Sequence, residues 1–143
     1  MLDNALTVRI ELPVSLSALW NCFTQAEHIV NWNFAHESWH CPKAQVDLKE
    51  GGRFSYRMEA KDGSFGFDLN GVYEQIAFEK FILFSLEDGR QVEVEFSSDD
   101  HMAYLVEHFQ PENQNPLDQQ QMGWQMILDN LKAYALKHFA AQK

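Results

Sequence analysis

Apolar and polar residues alternate over residues 5–12, ALTVRIEL, and this period of two predicts a strand. Pro13 stops it. Ser15 then stands where a helix cap belongs. Leu16, Leu19, Trp20 and Phe23 follow at i, i+3, i+4 and i+7, the spacing of one helical face. A second short helix is predicted from Ala26 to Trp32. From residue 43 the period returns to two, with strand-like runs near 43–48, 53–60, 65–76, 80–87, 91–97 and 102–109. The breaks between runs carry turn residues: Gly51-Gly52, Asp62-Gly63, Asp88-Gly89 and Ser97-Ser98-Asp99-Asp100. Such close spacing implies hairpins and hence an antiparallel meander.

One face of this sheet reads as apolar: Phe54, Tyr56 and Met58; Phe65, Phe67 and Leu69; Val92, Val94 and Phe96. Arg57, Glu59, Asp68, Glu93 and Glu95 fall on the other. The last segment supplies a cover. Asn115 is placed as a cap and Pro116 as the first helical residue. Trp124, Ile127, Leu128, Leu131, Tyr134, Ala135 and Phe139 then recur at helical spacing. A helix of ~25 residues is ~37 Å long, enough to cross a curved sheet. The pattern predicts one α+β domain over residues 1–143: a strand, two short helices, six strands and a long C-terminal helix.

Composition narrows the class of partner. The 143 residues carry a formal net charge of -10, and no stretch concentrates Lys and Arg. Phosphates of nucleic acid and anionic membranes should be repelled. No apolar run reaches the ~18 residues needed to span a bilayer, and Asp3 and Asn4 interrupt any leader-like start. These features predict a cytoplasmic protein in which Cys22 and Cys41 are reduced thiols.

Residues 36–40 read HESWH, a literal match to the zinc peptidase pattern H-E-x-x-H. That pattern works on a helix, where histidines four apart share a face and the Glu activates a metal-bound water. Pro42 must end any helix here, and no later helix offers a third ligand. No metal site and no cofactor are therefore expected. There is also no nucleophile motif and no glycine-rich phosphate loop, so no reaction is declared.

Several short motifs, in order, resemble the heat-shock protein 90 activator-like family of the START-related, or birch-pollen-allergen-like, helix-grip superfamily. Pro13 and Trp20 match its entry to the first helix, and Thr24, Ala26, Glu27 and Trp32 its second. Asp47, Gly51, Gly52 and Phe54 match its "d…GG.f" turn, and Gly71-Val72-Tyr73-Glu74 its "G.y.e" strand. Gly123-Trp124 with Leu128 and Leu131 matches its "GW…L..L" helix. The resemblance spans about residues 6–140. Two departures bear on the cavity of that fold: Asn33 where a second Trp is common, and Ala77-Phe78-Glu79-Lys80 where a proline is common.

The resemblance implies a helix-grip domain, a curved antiparallel sheet of about seven strands around the last helix. It implies a cytoplasmic monomer or homodimer holding a hydrophobic or aromatic small molecule between sheet and helix. The cavity candidates are Trp32, Trp39, His40, Tyr56, Met58, Phe67, Tyr73, Tyr104, His108 and Trp124. Trp39 is expected on the concave face with His40 at the rim, His36 and Glu37 being solvated. Trp32, Phe34 and Trp39 either close the cavity or plug the core. His108, with Met102, Tyr104 and Val106, is expected to face inward, as a core histidine or a ligand contact. Gly123 is expected where the helix passes close to the sheet. The superfamily also hosts cyclases, for which His40 or His108 would shuttle protons, and chaperone activators, which contact a heat-shock protein 90 homologue. A binding protein of this kind needs a cavity of about 300–1,000 Å³ lined by aromatics.

Overall fold

Strict alternation builds the first strand. In β1 (Leu6–Leu12), Val8, Ile10 and Leu12 are buried while Arg9 and Glu11 are exposed. α1 (Leu16–Thr24) follows, capped by the Ser15 hydroxyl, which accepts from the Ala18 N–H at 3.0 Å. α2 is a single turn, Ala26–Ile29. Six strands come next: β2 (Trp39–Val46), β3 (Arg53–Ala60), β4 (Gly66–Ala77), β5 (Phe81–Leu86), β6 (Gln91–Ser98) and β7 (Ala103–Phe109). α3 (Leu117–Phe139) is the last of the described elements. The computed structural model describes residues 2–139, so the extreme ends of the expected domain lie outside the described residues.

The seven strands form one antiparallel sheet in the order β1-β7-β6-β5-β4-β3-β2. From β2 onward every hairpin joins neighbours. The exception is the passage from β1 to β2, which crosses the sheet through α1 and α2. This is the expected α+β helix-grip architecture: a curved seven-stranded sheet, a long C-terminal helix and two short helices after the first strand. Phe109, Leu12, Leu19, Ile29, Ile82, Leu105, Leu128 and Leu131 are sealed between them, each contributing about 1.5–3 kcal/mol by leaving water.

Both sheet edges are protected. On β1, the Gln125 amide of α3 imitates a neighbouring strand. It donates to the Arg9 carbonyl at 2.9 Å and accepts from the Arg9 N–H at 3.2 Å, while Gln121 donates to the Thr7 carbonyl at 2.8 Å. On β2, the register shifts between His40 and Lys43, where Pro42 sits. A bulge on an edge strand is where a proline is tolerated and a sheet resists further pairing. β2 therefore begins earlier than the pattern predicts, at Trp39, because the bulge absorbs the proline.

Two details at α3 correct the sequence reading. Pro116 lies one position before the helix, its carbonyl accepting from the Gln120 N–H at 3.1 Å, and the Asn115 amide donates to Glu112 instead of capping. Gly123 has open space where a Cβ would stand, so no close helix–sheet passage requires it. Among the described residues, no helix is long and apolar enough to cross a membrane.

Candidate functional site

Between the concave face of the sheet and α3 lies a cavity of about 100 Å³. Phe54 and Tyr56 of β3, Leu69 and Tyr73 of β4, and Phe84 and Leu86 of β5 form its floor. Trp124, Ile127 and Leu128 of α3 form its roof, and Phe23, Trp32 and Asn33 one side. It is smaller than the expected range for ligand pockets. Wider clefts exist, such as one of about 630 Å³ bordered by Arg53, Asn70, Glu74 and Glu87, but these are open to solvent and ringed by polar side chains.

Local chemistry fixes the walls. The Phe54 ring lies across Gly71, its partner on β4, where any Cβ would stand 2.3 Å from the ring. Only glycine leaves that space. Trp32 is oriented by its indole N–H, which donates to the Cys22 carbonyl at 2.9 Å. Trp124 stacks flat on Phe109, with centroids 4.0 Å apart and planes 3° apart. The Asn130 amide donates to the Phe34 carbonyl, tying α3 to the segment that follows Trp32.

Four polar groups interrupt this apolar lining. Asn33 is buried, and its amide donates to the Met58 sulfur at 3.5 Å. Burial pushes the Tyr73 phenol up to about 12; burial first, then the charge of Tyr73, raises Tyr56 as well. The fourth is Glu107 of β7, 5 % exposed, whose carboxyl burial raises to about 8. Its neighbours across the sheet are Val8 on one side and Val94 on the other. Removal from water is what raises this carboxyl, and among the described residues no cation or hydrogen-bond donor offsets it.

Of the predicted residues, Trp32, Tyr56, Tyr73 and Trp124 line the cavity. Met58 is buried beside it, reached by Asn33. The others lie elsewhere. Trp39 is on β2 but at the far end of the sheet, edge-on to Phe65 at 5.9 Å and tilted against Phe67 at 6.2 Å. Phe67 is itself exposed there. His40 pairs with Glu59 in register and points the other way, its Nε2 3.6 Å from the Glu59 carboxylate on the charged outer face. Neither Trp39 nor His40 forms a cavity wall, because the β2 bulge extends the strand where an irregular connection was expected.

Tyr104 and His108 are also on the outer face. The Tyr104 hydroxyl donates to Asp99. His108 lies 2.8 Å from the Thr7 hydroxyl through Nδ1 and 2.6 Å from Glu95 through Nε2. The expected inward phase of β7 is reversed: Ala103, Leu105, Glu107 and Phe109 are the buried set. Neither histidine assigned to a proton shuttle reaches the cavity. HESWH is not helical either. His36 occupies a turn, bonded to Ser38 at 2.8 Å, and His40 a strand, so the two do not share a helix face. Among the described residues, no three His, Cys, Asp or Glu side chains gather as a metal would require. Cys22 and Cys41 are both free and buried.

Glu107 and Asn33 are the polar cavity groups that sequence reasoning did not select. For Glu107 a signal existed in β1: the clean phase of Val8, Ile10 and Leu12, carried across the register, turns Ala103, Leu105 and Glu107 inward. Asn33 coincides with the noted departure from the family pattern.

The model of the family described as Activator of Hsp90 ATPase homolog 1-like protein matches residues 13–135. The AHSA1-like protein of Aeromonas hydrophila, solved by NMR, is 37% identical, with 92% of each chain covered and a TM-score of 0.83. A protein of Cytophaga hutchinsonii is 40% identical over 94% of this chain and 93% of its own, at a TM-score of 0.81. CalU16 of Micromonospora echinospora shares the fold at 21% identity, covering 92% of this chain and 75% of its own, at a TM-score of 0.68. No curated protein matches the chain.

Proposed function

We propose that this chain, which belongs to the Activator of Hsp90 ATPase homolog 1-like family, binds a small hydrophobic or aromatic molecule between its sheet and its C-terminal helix. The observation that carries this reading is the aromatic cavity beneath Trp124, with a buried carboxyl on its wall. An apolar concavity with a few convergent polar groups is the usual form of a small-molecule site. The volume of about 100 Å³ restricts the guest, since an apolar cavity of about 150 Å³ accepts benzene. A ligand is therefore no larger than one ring unless it displaces wall side chains on entry. Trp32 and Trp124 are both in the lining, so binding should quench tryptophan fluorescence. Native mass spectrometry of the purified protein, followed by fluorescence titration with single-ring compounds, tests the reading. Saturable quenching that is lost in Trp124→Phe supports it; no bound species and no quenching refutes it.

A second reading, contact with a heat-shock protein 90 homologue, is favoured by one feature besides the family. Trp39, Phe65 and Phe67 form an aromatic cluster at one end of the sheet, with Phe65 61 % and Phe67 42 % exposed. Apolar surface left in water commonly marks a protein contact. Stimulation of the homologue's ATPase by wild type, and its loss in Phe65→Ser, is the matching measurement.

A further inference from the structure

This inference rests on the cavity reading above and concerns what Glu107 is for. The side chain projects from β7 into the cavity, opposite Trp124, Ile127 and Leu128 of α3. Valines flank it on both neighbouring strands, Val8 and Val94. The residue is 5 % exposed. No group among the described residues hydrogen-bonds its carboxyl, yet no buried side-chain oxygen is sealed away without a partner. The carboxyl oxygens therefore retain access to the cavity space. The other polar groups of the lining have protein partners or one another: Asn33 has Met58, and the Tyr56 and Tyr73 phenols are mutual neighbours. Burying a carboxyl without a partner is costly, and here the missing partner has an obvious place to come from.

We infer that Glu107 is the polar recognition group of the cavity, and that it selects a single-ring, weakly basic nitrogen heterocycle with an N–H or NH₂ beside the ring nitrogen. Three observations set this class. The walls contributed by Phe54, Phe84 and Trp124 favour a flat ring, and the volume admits no more than one. No Lys, Arg or His lines the cavity, so an anionic ligand would meet a carboxyl with no cation to offset it. A permanently charged ammonium would lose its hydration in an apolar space. A ring nitrogen next to an amino group avoids both problems. The carboxyl O–H donates to the ring nitrogen while its carbonyl oxygen accepts from the amino group, a two-point contact of fixed geometry. If the proton moves to the ring nitrogen, the same two hydrogen bonds remain and the ion pair is internal to the site. Burial keeps a proton on Glu107 near neutral pH, which supports this pairing. The titratable groups facing it are the phenols of Tyr56 and Tyr73; β1, β6 and α3 present only Val8, Val94, Trp124, Ile127 and Leu128.

The test uses the full chain with 2-aminopyridine, toluene and benzoate as probes, read by tryptophan quenching and by NMR shifts of cavity residues. Wild type should bind 2-aminopyridine about tenfold to a hundredfold more tightly than toluene, the range expected from charged-group hydrogen bonds, and benzoate weakest of all. Glu107→Leu should reverse the order, losing that advantage and gaining toluene. Glu107→Gln keeps an acceptor and a donor in place and should retain most of the 2-aminopyridine affinity. The conservative rescue separates recognition from general damage to the cavity. Equal 2-aminopyridine affinity in wild type and Glu107→Leu, equal loss in both variants, or benzoate bound as tightly as 2-aminopyridine overturns the inference. In those cases toluene binding still upholds the cavity. If no probe binds any of the three proteins, the cavity reading falls as well.

Discussion

Glu59 on β3 and Glu107 on β7 are both strand glutamates of one sheet, and their surroundings give them opposite properties. Glu59 faces outward among charges. Arg57 donates to it at 2.8 Å, and Asp68 and His40 complete a ladder across β2, β3 and β4. The Arg57 hydrogen bond holds its carboxyl below the usual range. Glu107 faces inward among valines and aromatics and is pushed up to about 8. The convex face is open to water, so its ion pairs add little and are readily exchanged. The concave face removes water, so one carboxyl there is a strong perturbation. A single polar group therefore alters the concave face far more than it alters the convex one.

The comparison can be tested at several points. The largest effect is expected at Glu107. Its proton is held in the folded chain to about pH 8 and released from the unfolded chain near 4.5. Between those values the folded state binds more protons, so the contribution of this one group is fully present below pH 4.5 and is lost as pH rises through 8. At 1.36 kcal/mol per pH unit the loss is on the order of 4–5 kcal/mol. Urea midpoints at pH 5 and pH 9 should show this decline in wild type and a much smaller one in Glu107→Gln. Identical pH profiles for the two proteins would put Glu107 in water and erase its contrast with Glu59.

Next comes the roof of the concave side. Leu131 of α3 is fully buried, and Leu131→Ala should cost about 3 kcal/mol through lost burial and the space left behind, measured by the same denaturation. An unchanged midpoint would mean that α3 does not grip the sheet. Gly123 lies on the same helix but supports neither wall nor packing. Gly123→Ala should raise stability by about 0.5–1 kcal/mol through backbone entropy and helix propensity; a fall would reveal a contact with a partner. The smallest effect belongs to the convex face. Glu59→Gln and His40→Ala should leave the midpoint nearly unchanged, with any shift fading at high salt, and should not alter tryptophan quenching by a cavity ligand.

Much of this molecule was legible along the chain. Period two and period 3.6 separate strands from helices, the Asp-Gly and Gly-Gly turns mark the hairpins, and the long terminal apolar stripe gives α3. Trp32, Tyr56, Tyr73 and Trp124 lie between sheet and helix, where the sequence places them, because each sits in an element with one dominant phase or beside a family motif. Trp39, His40, Tyr104 and His108 were misplaced where local pattern was ambiguous. At Pro42 a helix breaker reads equally as a loop or as a bulge in an edge strand. Only pairing with β3 decides, and Trp39 opposite Ala60 and His40 opposite Glu59 make it a strand.

The sequence by itself determined the order of elements, the apolar faces of β1, β3 and β6, and the need for a covering helix, because these follow from side-chain spacing within a single segment. Tertiary structure decided the phase of β7 and hence the chemistry of the cavity. In MAYLVEHF both phases are largely apolar: Met102, Tyr104 and Val106 against Ala103, Leu105 and Phe109. A one-residue choice exchanges His108 for Glu107 at the cavity wall. That choice is made by hydrogen bonds to strands distant in sequence, which set Glu107 opposite Val8 on one side and Val94 on the other. It holds because Leu105 and Phe109, sealed on the same face, gain more by leaving water than the one buried carboxyl loses.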